Sequence, residues 1–271
     1  MRFVPSSRVT RKCGLMRYRW VGNAIAVVSL VLPTYVSAQR TTEAHIGLGL
    51  EETALRNPAE SPYRLAGWGP TFSLGFDRRS STSALDVTLR TGHAALHSGV
   101  SGGTSRNGVA AVDIRYLRAV GQSRGRVSWW IGTQMHATAD ISDHQYNGSF
   151  GSHNDQFGIV ASGFGATVRA SHKLGAGLIS SDLAVPLASW VDSPYANLKM
   201  NGDALRFRFA SLGRLRAFDE SISYRVLRSQ RASIGWTYRL SYMQYASDDV
   251  RRFARQSLSG VITIRLSGRE P

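Results

Sequence analysis

VSWWIGTQMH, residues 127–136, puts Val127, Trp129, Ile131 and Met135 on one side of an extended chain and Ser128, Gly132, Gln134 and His136 on the other. Such alternation marks a β-strand with one apolar face, because successive Cβ atoms point to opposite sides of a sheet. The same period runs through nine further segments. Ile46, Leu48 and Leu50 alternate with His45, Gly47, Gly49 and Glu51; Phe72, Leu74 and Phe76 with Ser73, Gly75 and Asp77. Leu85, Val87 and Leu89 alternate with Asp86, Thr88 and Arg90; Val112, Ile114 and Tyr116 with Asp113 and Arg115. Residues 157–170 are glycine-rich, with Phe164, Ala166 and Val168 on one face; Ile179, Leu183, Val185 and Leu187 oppose Ser180 and Asp182. Ile222, Tyr224 and Val226 oppose Ser221, Ser223 and Arg225; Ile234, Trp236, Tyr238, Leu240 and Tyr242 oppose Gly235, Thr237, Arg239 and Ser241. Leu258, Ile262, Ile264 and Leu266 close the series against Ser257, Ser259, Thr263 and Arg265.

Connector lengths alternate as well. Short connectors are expected near residues 79–82, 121–125, 171–173 and 228–231. Long polar loops are expected near 52–68, 97–107, 140–156, 188–216 and 246–254. Short turns on one rim and long loops on the other are the layout of an up-and-down transmembrane β-barrel. The expectation is an all-β, antiparallel barrel of about ten strands, with long extracellular loops, short periplasmic turns and both termini on the periplasmic side. LRFRFASLGRLR, residues 205–216, also alternates. It reads as an extension of a long loop; counted as a strand it would bring the barrel to twelve, since such barrels favour even numbers. A soluble sandwich has the same period. Trp129, Tyr116, Tyr224, Tyr242 and Trp236 lie toward strand ends, as girdle residues do, and strands of about ten residues suit a tilted crossing.

The first forty residues read differently. Arg2, Arg8, Arg11, Lys12, Arg17 and Arg19 form a positive lead, residues 24–36 (AIAVVSLVLPTYV) a short apolar run, and Val36-Ser37-Ala38 a small-residue cleavage site. This is a secretory signal over residues 1–38, with Met16 as an alternative start, followed by one domain over 39–271. The single cysteine, Cys13, falls in the signal, so no disulfide and no thiolate metal site is expected beyond it. The formal charge of +15 falls to +9 once the six signal positives are removed. Export argues against nucleic acid as the partner of this basic balance. A mean hydropathy of −0.18 suits a barrel in which every second residue faces a polar interior.

Closing the pattern into a barrel places Glu51, Asp77, Asp86, Arg90, Asp113, Arg115, Arg169, Asp182, Arg225, Arg239 and Arg265 inside. Arg–Asp pairs that fill and stiffen a narrow lumen are the expected role; a narrow path for a small anionic solute is the alternative, because arginines outnumber acids in this set.

In its strand pattern, in YRLSYMQY (238–245) and in GVITIRL (260–266), the chain resembles the small outer-membrane β-barrel proteins of Gram-negative bacteria. It departs from many of them in following Leu266 with SGREP and not ending on Phe. The resemblance implies an outer-membrane location, insertion by the barrel-assembly machinery, and contact with outer-membrane lipid and lipopolysaccharide. His144-Gln145-Tyr146-Asn147-Gly148 is similar to the His-x-Ser-Asn-type motif of outer-membrane phospholipases and lipid A deacylases at His144, Asn147 and Gly148. Tyr146 stands where the nucleophilic serine belongs, and a phenol is a poor acyl carrier, so no catalysis is expected. A protease needs acid and acid–His pairs on opposing strands, whereas Asp140, Asp143, His144, His153 and Asp155 read as members of one loop. The irregular spacing of those side chains gives no metal site, and no cofactor is expected. Arg206, Arg208, Arg214, Arg216, Arg251, Arg252 and Arg255 read as loop arginines able to meet lipopolysaccharide phosphates.

Overall fold

The computed structural model describes residues 40–56, 64–98, 103–122, 127–148, 151–192, 207–227, 229, 231–246 and 250–267. The expected signal lies outside them. The described residues form strands β1 (Thr41–Arg56), β2 (Arg64–Arg79), β3 (Ser83–His97), β4 (Thr104–Gln122), β5 (Val127–Gly148), β6 (Gly151–Leu174), β7 (Gly177–Asp192), β8 (Arg208–Ser211), β9 (Leu215–Leu227), β10 (Ala232–Ala246) and β11 (Val250–Ser267). Apart from β8, each strand pairs antiparallel with the next in the chain, β7 pairing directly with β9, and β1 pairs with β11, as in Leu50↔Leu258. The sheet therefore closes on itself as a ten-strand barrel and leaves no long free edge. β8 is an eleventh, four-residue segment that rides on the upper end of β7, with Trp190↔Phe209, and does not add a position to the ring.

Register fixes the stagger. From Glu52 one path around the ring runs through Trp68, Ala95, Arg106 and Asp143 to Gln156 on β6. The other runs through Gln256, Leu240, Glu220 and Leu183 to Val168 on the same strand. The two arrivals are twelve residues apart on β6, so the strands are strongly tilted, about 35–45° as barrels of this kind require. Both β1 and β11 have their free ends at the short-turn rim, where Thr42 opposes Ser267.

Several strands run further than their sequence suggested. The expected loop at 140–156 is instead the paired upper half of β5 and β6, continuous from Asp140↔Ile159 to Gly148↔Gly151. Its Gly, Ser and Asp content reads as a loop, yet both strands have a neighbour to bond and the ladder outweighs weak strand propensity. The connection at 246–254 shrinks in the same way, because β11 begins at Val250. The β6–β7 turn lies at Gly175, whose positive φ of 59° suits a tight turn, and not at 171–173. Of the expected stretch 205–216, the described residues 207–216 hold β8, a turn and the first residues of β9, while 205 and 206 lie outside the described residues.

The outer face carries the apolar residues of the alternation. Leu48 is 66% exposed, Leu50 60%, Leu258 58% and Ile262 55%. Trp129, Tyr116 and Trp236 sit toward the short-turn end of this band, Trp68 and Trp190 toward the other. Above the band the alternation changes sign. Outward positions become charged (Arg56, Arg64, Arg216, Arg252), and inward positions become apolar (Leu55, Leu65, Leu215, Phe253). The upper part of the barrel is thus built like a water-soluble protein and the lower part like its inverse.

Candidate functional site

Everything inside the barrel follows from which residues share the inward parity. Three tiers of ion pairs cross it. In the tier toward the short-turn rim, Arg169 on β6 donates to Asp182 on β7 at 2.5 Å and contacts Asp86 on β3. Arg225 on β9 reaches Glu43 on β1 at 2.6 Å, and Arg79 lies 3.5 Å from Asp77. Arg265 is 3.7 Å from Glu43. In the middle tier Arg239 on β10 takes Asp219 on β9 through Nε at 2.8 Å and Asp113 on β4 through Nη2 at 2.9 Å. Arg90 and Arg115 lie 3.6 and 3.8 Å from the same Asp219. In the upper tier Arg255 on β11 contacts Asp140 on β5, lies 3.4 Å from Glu51, and donates to Asn107 Oδ1 at 3.2 Å. Asn107 in turn donates to Asp140 at 2.7 Å and Ser142 at 2.8 Å.

Several of these contacts join opposite walls. β10 and β4 stand five positions apart in the ten-strand ring, and so do β11 and β5. The arginines are struts, and each carboxylate they hold is removed from water together with its partner, the arrangement that makes a buried charge tolerable. Between the lower and middle tiers lies a cavity of about 170 Å³, lined by residues such as Thr71, Ser73, Ser223, Thr237 and Ser259 with arginine and aspartate above and below.

Above the upper tier the interior turns apolar. Leu55, Leu65, Leu96, Ile159, Val191, Leu215, Tyr245 and Phe253 pack into one cluster with Ala94, Ala161 and Ala210. They come from every strand of the ring except β4 and β5. Leu96 and Ile159 are 0% exposed and Phe253 1%, so this cluster is a packed apolar core in the upper part of the barrel.

The structure places Asp77, Asp86, Arg90, Asp113, Arg115, Arg169, Asp182, Arg225, Arg239 and Arg265 on the inward parity, and all ten take part in the ion pairs above. Glu43, Arg79, Asp140, Asp219 and Arg255 were missed as members, and their addition changes the balance. Among the described residues these pairs draw on eight arginines and eight carboxylates, so the excess of arginine read from the sequence is gone. Asp219 was missed because residues 217–220 break the apolar half of the alternation; its inward parity, two residues before Ser221, was the available signal.

His144 is 2% exposed and faces inward beside Ser105, its register partner on β4. Asn147 lies on β5, but its side chain, like those of Tyr146, His153 and Asp155, is outside the described residues. The acids and histidines read as one loop are in fact divided between two paired strands, with His144↔Asp155 and Tyr146↔His153 in register. The loop arginines separate as well. Arg255 and Arg251 turn inward and are buried, Arg208, Arg214, Arg216 and Arg252 are exposed, and Arg206 is outside the described residues.

No family model matches this chain, and no curated protein matches it in sequence. Solved structures do resemble it. The outer membrane protease OmpT from Escherichia coli matches over 85% of this chain and 99% of its own, with a TM-score of 0.54 and 8% identity. The translocator domain of the autotransporter NalP from Neisseria meningitidis matches over 91% of this chain and 95% of its own, with a TM-score of 0.44 and 7% identity. The attachment invasion locus protein Ail of Yersinia pestis, in complex with a heparin analogue, matches over 82% of this chain and 98% of its own, with a TM-score of 0.36 and 10% identity. At such identities the likeness is one of fold, and the fold is that of Gram-negative outer-membrane β-barrels.

Proposed function

We propose that this protein is an integral outer-membrane barrel with a structural or surface-interaction role, sealed against solutes and without catalysis. The single observation that carries this reading is the apolar core of Leu55, Leu65, Leu96, Ile159, Tyr245 and Phe253 lying over three tiers of cross-lumen ion pairs. A pore needs a continuous wet path with sites weak enough to release the ion. Here the mouth is packed like a protein interior, and the lumen charges neutralise one another. The band of exposed leucine, isoleucine and aromatic side chains supports a lipid surrounding, since a patch of that extent is not left in water. The absence of catalysis is supported by the burial of His144, which is 2% exposed and level in register with the core residue Leu96 through Ser105.

Conductance of the purified chain in a planar lipid bilayer tests the proposal. A sealed barrel gives flat traces at all voltages. Stepwise, anion-selective currents from the wild-type chain would establish the pore reading in its place.

A further inference from the structure

The lumen supplies a carboxylate for its arginines; among the described residues, one outer row of arginines is paired with none. Register aligns Arg216 with Gln244, Gln244 with Arg252, Arg252 with Arg56, and Arg56 with Arg64, in one row across five consecutive strands, β9, β10, β11, β1 and β2. All four arginines are exposed, and among the described residues none of them forms an ion pair. Three of them, Arg252, Arg56 and Arg64, are directly opposed in the ladder, where like charges repel.

The next outward row below is apolar and low. It runs through Phe218, Tyr242, Ala254, Ala54 and Ala66, with the Phe218 and Tyr242 rings stacked at 5.8 Å. Beneath it Gln256 bonds Glu52 and accepts from the Tyr238 hydroxyl at 3.1 Å, and further down Leu50, Leu258 and Leu48 face outward. Read from the long-loop rim downward, this face offers cationic donors, then a shallow shelf, then hydrogen-bonding groups, then a hydrocarbon surface. That sequence of chemistries matches an anionic amphiphile standing in the outer leaflet.

We infer that Arg216, Arg252, Arg56 and Arg64 form a ladder that holds the phosphates of a phosphorylated lipid head group against β9–β2. Guanidinium groups bind phosphate in bidentate fashion, and an anion between adjacent arginines converts their mutual repulsion into attraction. The inference rests on the outer-membrane reading above, but not on the lumen being sealed.

The test uses the full chain in detergent micelles, titrated with bis-phosphorylated lipid A and, separately, with the same lipid after enzymatic dephosphorylation. The expected result is binding of the phosphorylated form, weakened by about tenfold or more in the R56Q/R64Q/R216Q/R252Q variant. The R56Q/R64Q and R216Q/R252Q double variants are run alongside, and retained heat-modifiable gel mobility in each separates a lost lipid contact from a lost barrel. Equal affinity for both lipid forms, or unchanged affinity in variants that keep the barrel, overturns the assignment and leaves the row to a protein or saccharide partner.

Discussion

Arg239 on β10 holds Asp113 on β4 at 2.9 Å although the two are 126 residues apart in the chain and stand on opposite walls of the barrel. The same guanidinium grips Asp219 on its own side, so one side chain ties three strands together through the lumen. Arg239→Met leaves two carboxylates without their main partner. The expected loss is about 3–5 kcal/mol of unfolding free energy, the usual cost of breaking one side of a buried pair. Urea unfolding in micelles measures it, with Arg216→Met on the outer surface as a control expected to stay within about 0.5 kcal/mol.

Leu48 distinguishes a lipid surrounding from a watery one. It is 66% exposed, a position at which arginine is harmless in a soluble protein. In the centre of an apolar band the same change costs about 2–4 kcal/mol. Leu48→Arg is therefore predicted to impair folding into lipid vesicles while leaving the interior ion pairs untouched. Refolding yield into phosphatidylcholine vesicles, compared with wild type, reports the difference.

A close approach inside the barrel predicts a rescue. Gly75 faces His45 in register, and a Cβ at Gly75 would stand 1.9 Å from the His45 ring. Gly75→Val should lower the thermal midpoint of the unboiled gel band, and His45→Ala in the same chain should restore most of it. A double variant no better than Gly75→Val alone would show that the ring is not what the glycine accommodates.

In the proposed sealed barrel, the apolar core at the mouth and the ion tiers beneath it each block the lumen. Phe253→Ala removes a side chain that is 1% exposed and is predicted to cost about 3–5 kcal/mol. Because the Arg255–Asp140 and Arg239–Asp113 struts remain below, its bilayer traces should stay as flat as those of the wild type.

The barrel and its ten crossings were legible in the chain because lipid on one side and a polar lumen on the other impose a strict period of two on every membrane-level segment. Leu48, Trp129 and Ile262 face outward as that period requires. Above the membrane the solvent exchanges sides, and a reading that expects apolar residues to face outward sees the inverted pattern as noise. Leu55 and Leu65, within the loop expected at 52–68, and Phe253, within that expected at 246–254, therefore looked like loop residues, although they keep the inward parity of their strands. For the same reason Asp140 and Arg255 were not paired in advance. Which arginine meets which aspartate depends on the stagger of twelve residues around the ring, and that is a property of closure, absent from any one strand. The outer arginine row was equally hidden, because Arg216, Arg252, Arg56 and Arg64 are scattered in sequence and become neighbours through register alone.

A closed barrel held in a membrane is tested by gel mobility of the protein from an outer-membrane fraction, with and without boiling. The unboiled protein is expected to migrate faster than the boiled one, as a compact barrel that resists dodecyl sulfate. Identical mobility in both lanes, with the protein recovered in the soluble periplasmic fraction, would contradict it.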